Sequence, residues 1–177
     1  MNGTILCESE LGKGTTFTVR IPLKTADHAE QAAPSVGSAG ESALSGMRVL
    51  VAEDNDLNWE IISAMLDKHG IRCDRAENGR ICVDMLEAAP ENTYALVLMD
   101  VQMPELNGRD AAREIRRSAR QDLREIPIAA MTADAFAEDM QACMDAGMDA
   151  HLSKPVEIEK VLRTFVHLKG HKHGQPL

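Results

Sequence analysis

The stretch ALVLMD, residues 95–100, decides the fold class of this chain. Five consecutive apolar residues that end in an acid are typical of a strand buried on both faces of a sheet. Two further runs, VLVA at 49–52 and IAAM at 128–131, have the same continuous pattern. Such strands predict the interior of a parallel sheet that is covered by helices on both sides.

Segments with helical periodicity separate these runs. In the first, apolar residues recur at helical spacing and Gly70 fits the end of the helix; they are Leu57, Ile61, Met65 and Leu66. A second helix is predicted from Ile81, Val83, Met85 and Leu86. Further helices are expected through 111–115, 135–145 and 156–166, with short strands at 71–73 and 150–152. The sequence therefore predicts a doubly wound α/β domain of five βα units.

The N-terminal part of the chain has a different composition. Residues 1–23 alternate like two strands around Gly12-Lys13-Gly14, which predicts a β-hairpin. Residues 24–46 are rich in Ala, Ser and Gly, as in a flexible linker. We expect the βα domain at 47–168 and a disordered tail at 169–177.

Composition limits the classes of function. The formal net charge is −9, from 28 acidic and 19 basic residues, which argues against nucleic acid as a direct partner. The four cysteines form no C-x-x-C pair, and free thiols in a reducing compartment are the simplest interpretation. No apolar run is long enough to span a bilayer. A cytoplasmic location without membrane contact by this chain is therefore expected.

Polar residues follow the predicted strands where each one ends: Glu53 and Asp54, Asp100, Thr132, and Lys154. Ligands of such sheets bind beyond the carboxyl ends of the strands. Three neighbouring carboxylates repel one another, and a hard divalent cation such as Mg²⁺ relieves that conflict. A lysine and a hydroxyl could neutralise phosphoryl oxygens, while an ionised carboxylate attacks without needing a strong base. Any one of these residues alone is uninformative; the set predicts phosphoryl transfer to a carboxylate.

Four segments resemble response-regulator receiver domains, the CheY-like family. They are VLVAEDN at 49–55, LMDVQMPELNG at 98–108, IAAMTA at 128–133 and GMDAHLSKP at 147–155. The resemblance covers about residues 47–168. It implies a flavodoxin-like five-stranded parallel sheet with strand order 2-1-3-4-5.

The resemblance also implies roles for the strand-end residues. Asp100 is the phosphoacceptor, Thr132 hydrogen-bonds the phosphoryl group and Lys154 pairs with it. Asp54, Asp100 and the backbone carbonyl of Gln102 coordinate Mg²⁺, and Glu53 acts largely through metal-bound water.

Further positions take on meaning through the same resemblance. The bond between Lys154 and Pro155 should be cis, although only about 5–6% of X-Pro bonds are. The side chains of Gln102 and Asp134 sit where the family tunes phosphoaspartate hydrolysis. His151 corresponds to the switch aromatic of many receivers; a buried structural histidine is the alternative.

Residues 3–9 and 12–23 resemble the closing segment of a histidine-kinase ATP-binding domain. The order of kinase end, linker and receiver implies the C-terminal receiver of a hybrid sensor histidine kinase. The remainder of a nucleotide site is absent from this sequence, so the chain itself is not expected to be a competent kinase. The implied partner is a histidine phosphotransfer domain or the phosphohistidine domain of a kinase. Trp59 is a candidate partner contact, with partial core packing as the alternative.

Two other functions compete with the phosphorelay receiver. A hydrolase of the haloacid-dehalogenase type would carry a second Asp two residues after the nucleophile, where this chain has Gln102. A receiver-shaped interaction module that acts without phosphorylation would usually lack part of the acid, Thr and Lys set.

Overall fold

The computed structural model describes residues 3–10, 12, 14–20, 46–133 and 137–171. Its contacts divide the chain into two units, Met1–Ser35 and Val36–Leu177, and each is described by itself. The predicted linker at 24–46 lies outside the described residues apart from Gly46, and so does Asp134.

The first unit contains the predicted hairpin, formed by β1 (Thr4–Glu10) and β2 (Gly14–Arg20). The strands pair antiparallel, with Ile5 opposite Val19 and Cys7 opposite Phe17. Alternate residues of a strand share one face, so these four side chains lie on the same side of the hairpin. The turn uses Gly12 and Gly14 at φ of 81° and 103°, a conformation that favours glycine.

The second unit contains a five-stranded sheet in the order β4-β3-β5-β6-β7. All neighbouring strands are parallel. The strands are β3 (Arg48–Ala52), β4 (Arg72–Ala76), β5 (Leu96–Asp100), β6 (Ile128–Thr132) and β7 (Ala150–Ser153). This is the predicted doubly wound sheet, and its order confirms 2-1-3-4-5.

The helices are α1 (Asp56–Lys68), α2 (Gly79–Ala88), α3 (Gly108–Arg116), α4 (Gln121–Glu125), α5 (Ala137–Asp145) and α6 (Ile158–His171). Asparagine side chains cap the first three, from Asn55, Asn78 and Asn107, by accepting the backbone N–H of the third helical residue. The sequence did not predict the short helix α4. Helix α6 continues to His171, beyond the predicted end of the domain.

Two apolar cores lie on opposite sides of the sheet. Leu50, Val97 and Met99 pack with residues of α2 and α3, whereas Val51, Leu96 and Leu98 pack with residues of α1 and α6. Successive residues of one strand therefore enter different cores, which is why the central strands are apolar without alternation.

The predicted apolar faces of two helices need correction. Leu57 and Ile61 are 64% and 55% exposed, while Ile62 and Leu66 make the core contacts of α1. On α2, Ile81 is 36% exposed and Cys82 is buried in its place. Leu66 of α1 and Val83 and Leu86 of α2 are buried as predicted, so the correction concerns only the first predicted positions of each helix. An exposed apolar surface therefore remains on α1.

Among the residues that the structure describes, no helix combines the length and hydropathy required to cross a membrane.

Candidate functional site

The predicted site residues lie at one edge of the sheet. Glu53 follows β3, Asp100 ends β5, Thr132 ends β6 and Lys154 follows β7. In the register, Asp100 is level with Met131 and Thr132 with Ser153. Because the strands are parallel, their carboxyl ends bring these side chains together, as the sequence predicted.

Lys154 connects two of the acids. Its Nζ donates to Oε2 of Glu53 at 2.7 Å and to Oδ2 of Asp100 at 2.6 Å. The backbone N–H of Gln102 donates to the other oxygen of Asp100, at 3.2 Å. Glu53 is fully buried and Asp100 is 7% exposed, so the lysine compensates two carboxylates that are largely withdrawn from water.

The ionisation of Asp100 and Lys154 reflects this arrangement. Burial raises the pKa of Asp100, and the nearby charge of Glu53 adds to the effect; Lys154 and the Gln102 N–H oppose it without cancelling it. Burial alone would lower the pKa of Lys154. Its hydrogen bonds to Asp100 and Glu53 outweigh burial, and the pKa of Lys154 is raised. Lys154 therefore stays charged at neutral pH.

The acid turn, residues 53–55 between β3 and α1, is held by two residues that sequence reasoning missed. Nδ2 of Asn58 donates to Oε1 of Glu53 at 2.8 Å. Arg75, near the end of β4, donates to the carbonyl oxygens of Glu53 and Asp54 at 3.1 and 3.0 Å. The predicted strand stopped at 73, so the strand-end rule that selected the acids did not reach Arg75.

The donor set fits a hard divalent cation. Glu53, Asp54 and Asp100 each offer a carboxylate oxygen, and these three oxygens lie within 4.8 Å of one another. Oxygen ligands at this spacing suit Mg²⁺, which commonly uses one or two carboxylates and keeps several waters. Asp54 is exposed, so water can reach the cation position.

A cavity of about 130 Å³ opens beside Asp100 and includes Gln102, Thr132 and Lys154 in its lining. The backbone N–H of Lys154 donates to the carbonyl oxygen of Thr132 at 2.8 Å, which joins the ends of β6 and β7. The nucleophile, hydroxyl and ammonium predicted for phosphoryl transfer therefore share one water-accessible space.

The remaining predicted residues have separate outcomes. The peptide bond between Lys154 and Pro155 is cis, as predicted. His151 on β7 is exposed, so the alternative of a buried structural histidine is wrong. Trp59 is half-buried, packs against the core beside α1 and lies under Arg75, whose Cζ is 6.0 Å from the ring centroid.

Comparison with known proteins agrees with the geometry. The family model of the response regulator receiver domain matches residues 49–165. The chain is 32% identical over 171 residues to the autoinducer 2 sensor kinase/phosphatase LuxQ of Vibrio vulnificus, covering 97% of this chain and 19% of LuxQ. It is 37% identical over 162 residues to the aerobic respiration control sensor protein ArcB of Escherichia coli, with 89% and 19% covered. The chain thus spans about a fifth of the length of these relatives.

Solved structures show the same likeness. A receiver domain of a Pseudomonas aeruginosa sensor histidine kinase, with magnesium coordinated in its active-site cleft, is 36% identical. The match has a TM-score of 0.63 and covers 71% of this chain and 99% of that one. A Saccharomyces cerevisiae receiver domain in complex with a histidine phosphotransfer protein is 26% identical with a TM-score of 0.63, covering 73% and 92%. With its sheet order, its strand-end residues and the family match in agreement, the chain belongs to the response regulator receiver domain family.

Proposed function

We propose that this chain accepts a phosphoryl group from a phosphohistidine donor onto Asp100 and relays it to a partner protein. The observation that supports this best is the placement of Asp100. Its carboxylate contacts Lys154, lies within reach of two further acids and lines a cavity that also contains Thr132. Family membership agrees with this role and disfavours a haloacid-dehalogenase-type hydrolase.

In the proposed reaction, a carboxylate oxygen of Asp100 forms a bond to phosphorus as the bond between phosphorus and the imidazole nitrogen of the donor breaks. The electron pair of that bond leaves with the imidazole. Asp100 must be ionised to attack, and Lys154 together with the Gln102 N–H favours the ionised form.

The charge that develops on the transferred group requires positive charge and hydrogen-bond donors around it. Lys154 is positioned to move from the carboxylate of Asp100 to a phosphoryl oxygen, because its Nζ already touches the attacking residue. The hydroxyl of Thr132, across the same cavity, would donate to another phosphoryl oxygen.

Glu53, Asp54, Asp100 and the backbone carbonyl of Gln102 would hold Mg²⁺. One carboxylate oxygen from each of the three acids lies within 4.8 Å of the other two, close enough to share one cation. The related Pseudomonas aeruginosa receiver holds magnesium in its cleft. When bound, the cation neutralises phosphoryl oxygens and the repulsion among the acids. We assign Asp54 and Asp100 as direct ligands and Glu53 as acting largely through bound water.

The longer protein is proposed to be a hybrid sensor histidine kinase. The similarity to LuxQ extends over 97% of the chain, so it includes the hairpin unit as well as the receiver. Residues 1–23 would then close a kinase ATP-binding domain, with a linker at 24–46, the receiver at 47–168 and a tail after it. A cytoplasmic location for this chain is proposed on the same assignment.

The partner is proposed to be a histidine phosphotransfer domain. Leu57 and Ile61 expose apolar side chains on α1, and Ile61 lines a small hollow beside Lys154, Pro155 and Val156. A donor imidazole must approach Asp100 closely, so its domain must cover the surface next to the cavity. The yeast relative in complex with a histidine phosphotransfer protein supports a partner of this kind.

Fluoroberyllate provides a test of the assembled site, because it forms a tetrahedral adduct on a carboxylate oxygen that imitates a phosphoryl group. Fluorine NMR should show bound resonances for the wild type only when Mg²⁺ is present. Asp100→Asn should remove them, and Thr132→Ala should weaken the adduct. Bound signals that persist in Asp100→Asn would contradict the assignment of the phosphoacceptor.

A further inference from the structure

We propose that Arg75 is a positioning residue for the cation site, and that it acts by fixing the backbone of the acid turn. The inference deepens the proposed function and rests on its assignment of Glu53 and Asp54 to the cation. Arg75 touches neither the Glu53 nor the Asp54 carboxylate; it contacts these two residues through their backbone carbonyl oxygens.

Three N–H groups of one guanidinium reach the backbone of two residues of the acid turn and the side chain of the residue that follows it. Nε donates to the carbonyl oxygen of Glu53 at 3.1 Å and Nη2 to that of Asp54 at 3.0 Å. Nη1 donates to Oδ1 of Asp56, the first residue of α1, at 2.7 Å. The planar fork of arginine makes such contacts together with little loss of side-chain freedom. The side chain is only 18% exposed, which reduces competition from water.

The position of the Asp54 carboxylate depends on the contacts of Arg75 more than that of Glu53 does. The carboxylate of Glu53 is held by Asn58 and Lys154. Within the described part of the chain, the side chain of Asp54 makes no hydrogen bond or ion pair, and it is exposed. Its backbone position, which Arg75 fixes through the carbonyl oxygen, therefore decides where its carboxylate can be offered to a cation.

The backbone contacts of Arg75 and its positive charge predict opposite effects on Mg²⁺ binding. A guanidinium beside the backbone of two ligand residues repels a divalent cation, so a purely electrostatic view predicts tighter Mg²⁺ binding when Arg75 is removed. A positioning role predicts weaker binding, since partners that orient metal ligands typically contribute about 10–100-fold in affinity. The sign of the change therefore distinguishes the two.

Isothermal titration calorimetry with Mg²⁺ on the whole chain measures that sign. Arg75→Met removes the charge and the three hydrogen bonds, and we expect about tenfold weaker binding, the lower end of that range. Arg75→Lys keeps the charge but cannot span the three acceptors, so it should also bind more weakly than the wild type. Arg72→Met is the matched control, because it makes the same charge change on β4 at an exposed residue outside the acid turn. Its affinity should remain within about twofold of the wild type.

Trp59 offers a second readout, since it is the single tryptophan of the sequence and Arg75 lies over its ring. We expect Mg²⁺ addition to change the tryptophan fluorescence of the wild type. In both Arg75 variants, the same change should require a higher Mg²⁺ concentration. Circular dichroism without Mg²⁺ confirms that each variant is folded, and Arg75→Lys carries the test if Arg75→Met does not fold.

Mg²⁺ binding by Arg75→Met as tight as, or tighter than, that of Arg72→Met would overturn the proposal. Wild-type Mg²⁺ affinity in Arg75→Lys would also overturn it, because a positive side chain at this position would then be enough and the three hydrogen bonds of the guanidinium would not be needed. Absence of Mg²⁺ binding by the wild type would instead contradict the proposed function, and this inference with it.

Discussion

At the scale of the residue, the site is an arrangement of charges that is unfavourable without a cation. Burial raises the pKa of Asp100, and Glu53 lies beside it fully buried. Lys154 contacts both, yet one positive charge faces two negative ones. The protein therefore holds Asp100 in a state that a bound cation would relieve, because a cation supplies the positive charge that the carboxylates lack.

The first prediction concerns Asp100→Asn in the absence of Mg²⁺. A carboxyl whose pKa is raised by folding costs stability once it is ionised, so the variant should be more stable than the wild type at pH 7. The difference should shrink as pH falls through the raised pKa, because wild-type Asp100 is then protonated and neutral. We expect a melting temperature a few degrees higher at pH 7, measured by circular dichroism with EDTA.

A control is Asp54→Asn, which removes a charge from an exposed carboxylate of the same site and should raise the melting temperature less. If Asp100→Asn were less stable than the wild type at pH 7, the carboxylate would be a net stabilising group and the account of its burial would be wrong.

The second prediction concerns Lys154→Met. Removing the shared partner leaves two neighbouring carboxylates without compensation, and breaking a buried pair costs about 3–5 kcal/mol. Because Lys154 is 20% exposed and beside a cavity, we expect a smaller loss, about 2 kcal/mol, in urea unfolding. Saturating Mg²⁺ should stabilise this variant more than the wild type. Equal stabilisation of both proteins would show that the lysine and the cation do not act on the same charges.

At the scale of the element, the loop between β5 and α3 fixes the position of Asp100. A Cβ on Gly108 would overlap with the carbonyl oxygen of Asp100, so only glycine permits this approach. The N–H of Gly108 also donates to the carbonyl oxygen of Val101 at 3.1 Å. The start of α3 and the backbone of Asp100 and Val101 are thus in direct contact.

The third prediction is that Gly108→Ala displaces Asp100. Overpacking of this kind typically costs about 1–3 kcal/mol, and Mg²⁺ should then stabilise the variant less than the wild type. Arg113→Ala on the exposed part of α3 is the control, with an expected change below about 0.5 kcal/mol. Urea unfolding with and without Mg²⁺ measures both. If Gly108→Ala were destabilised but Mg²⁺ stabilised it as much as the wild type, the prediction would be wrong. The loss of stability would then come from packing alone, without displacement of Asp100.

The elements also show how far sequence reasoning reaches. Continuous apolar strands and the residues at their ends were sufficient for the sheet and for the set of Asp100, Thr132 and Lys154. Helical spacing could not decide which stripe of α1 is buried, because Leu57, Ile61, Ile62 and Leu66 are all apolar and only tertiary packing selects among them. Arg75 was missed because its guanidinium contacts backbone carbonyl oxygens in the acid turn, which follows a different strand, and such a contact leaves no pattern in the sequence.

At the scale of the whole molecule, the proposed phosphoacceptor Asp100 and the exposed apolar surface of α1 lie at the same edge of the sheet. This suggests a partner that covers both.

The fourth prediction is that Leu57→Ser with Ile61→Ser leaves labelling by acetyl phosphate unchanged but slows phosphotransfer from the cognate phosphohistidine protein at least tenfold, the size of a loss of about 1.4 kcal/mol. Val166→Ser, at an exposed apolar residue of α6, is the control. Equal slowing with both donors would place the defect in the site rather than in docking.

The central claim is that Asp100 is the phosphoacceptor, and intact-mass spectrometry after incubation with acetyl phosphate and Mg²⁺ tests it most directly. The account predicts one added phosphoryl group on the wild type, absent with EDTA and absent in Asp100→Asn. A folded wild type that acquires no adduct, even when sampled early enough to precede hydrolysis, would contradict it. So would an adduct that persists on Asp100→Asn.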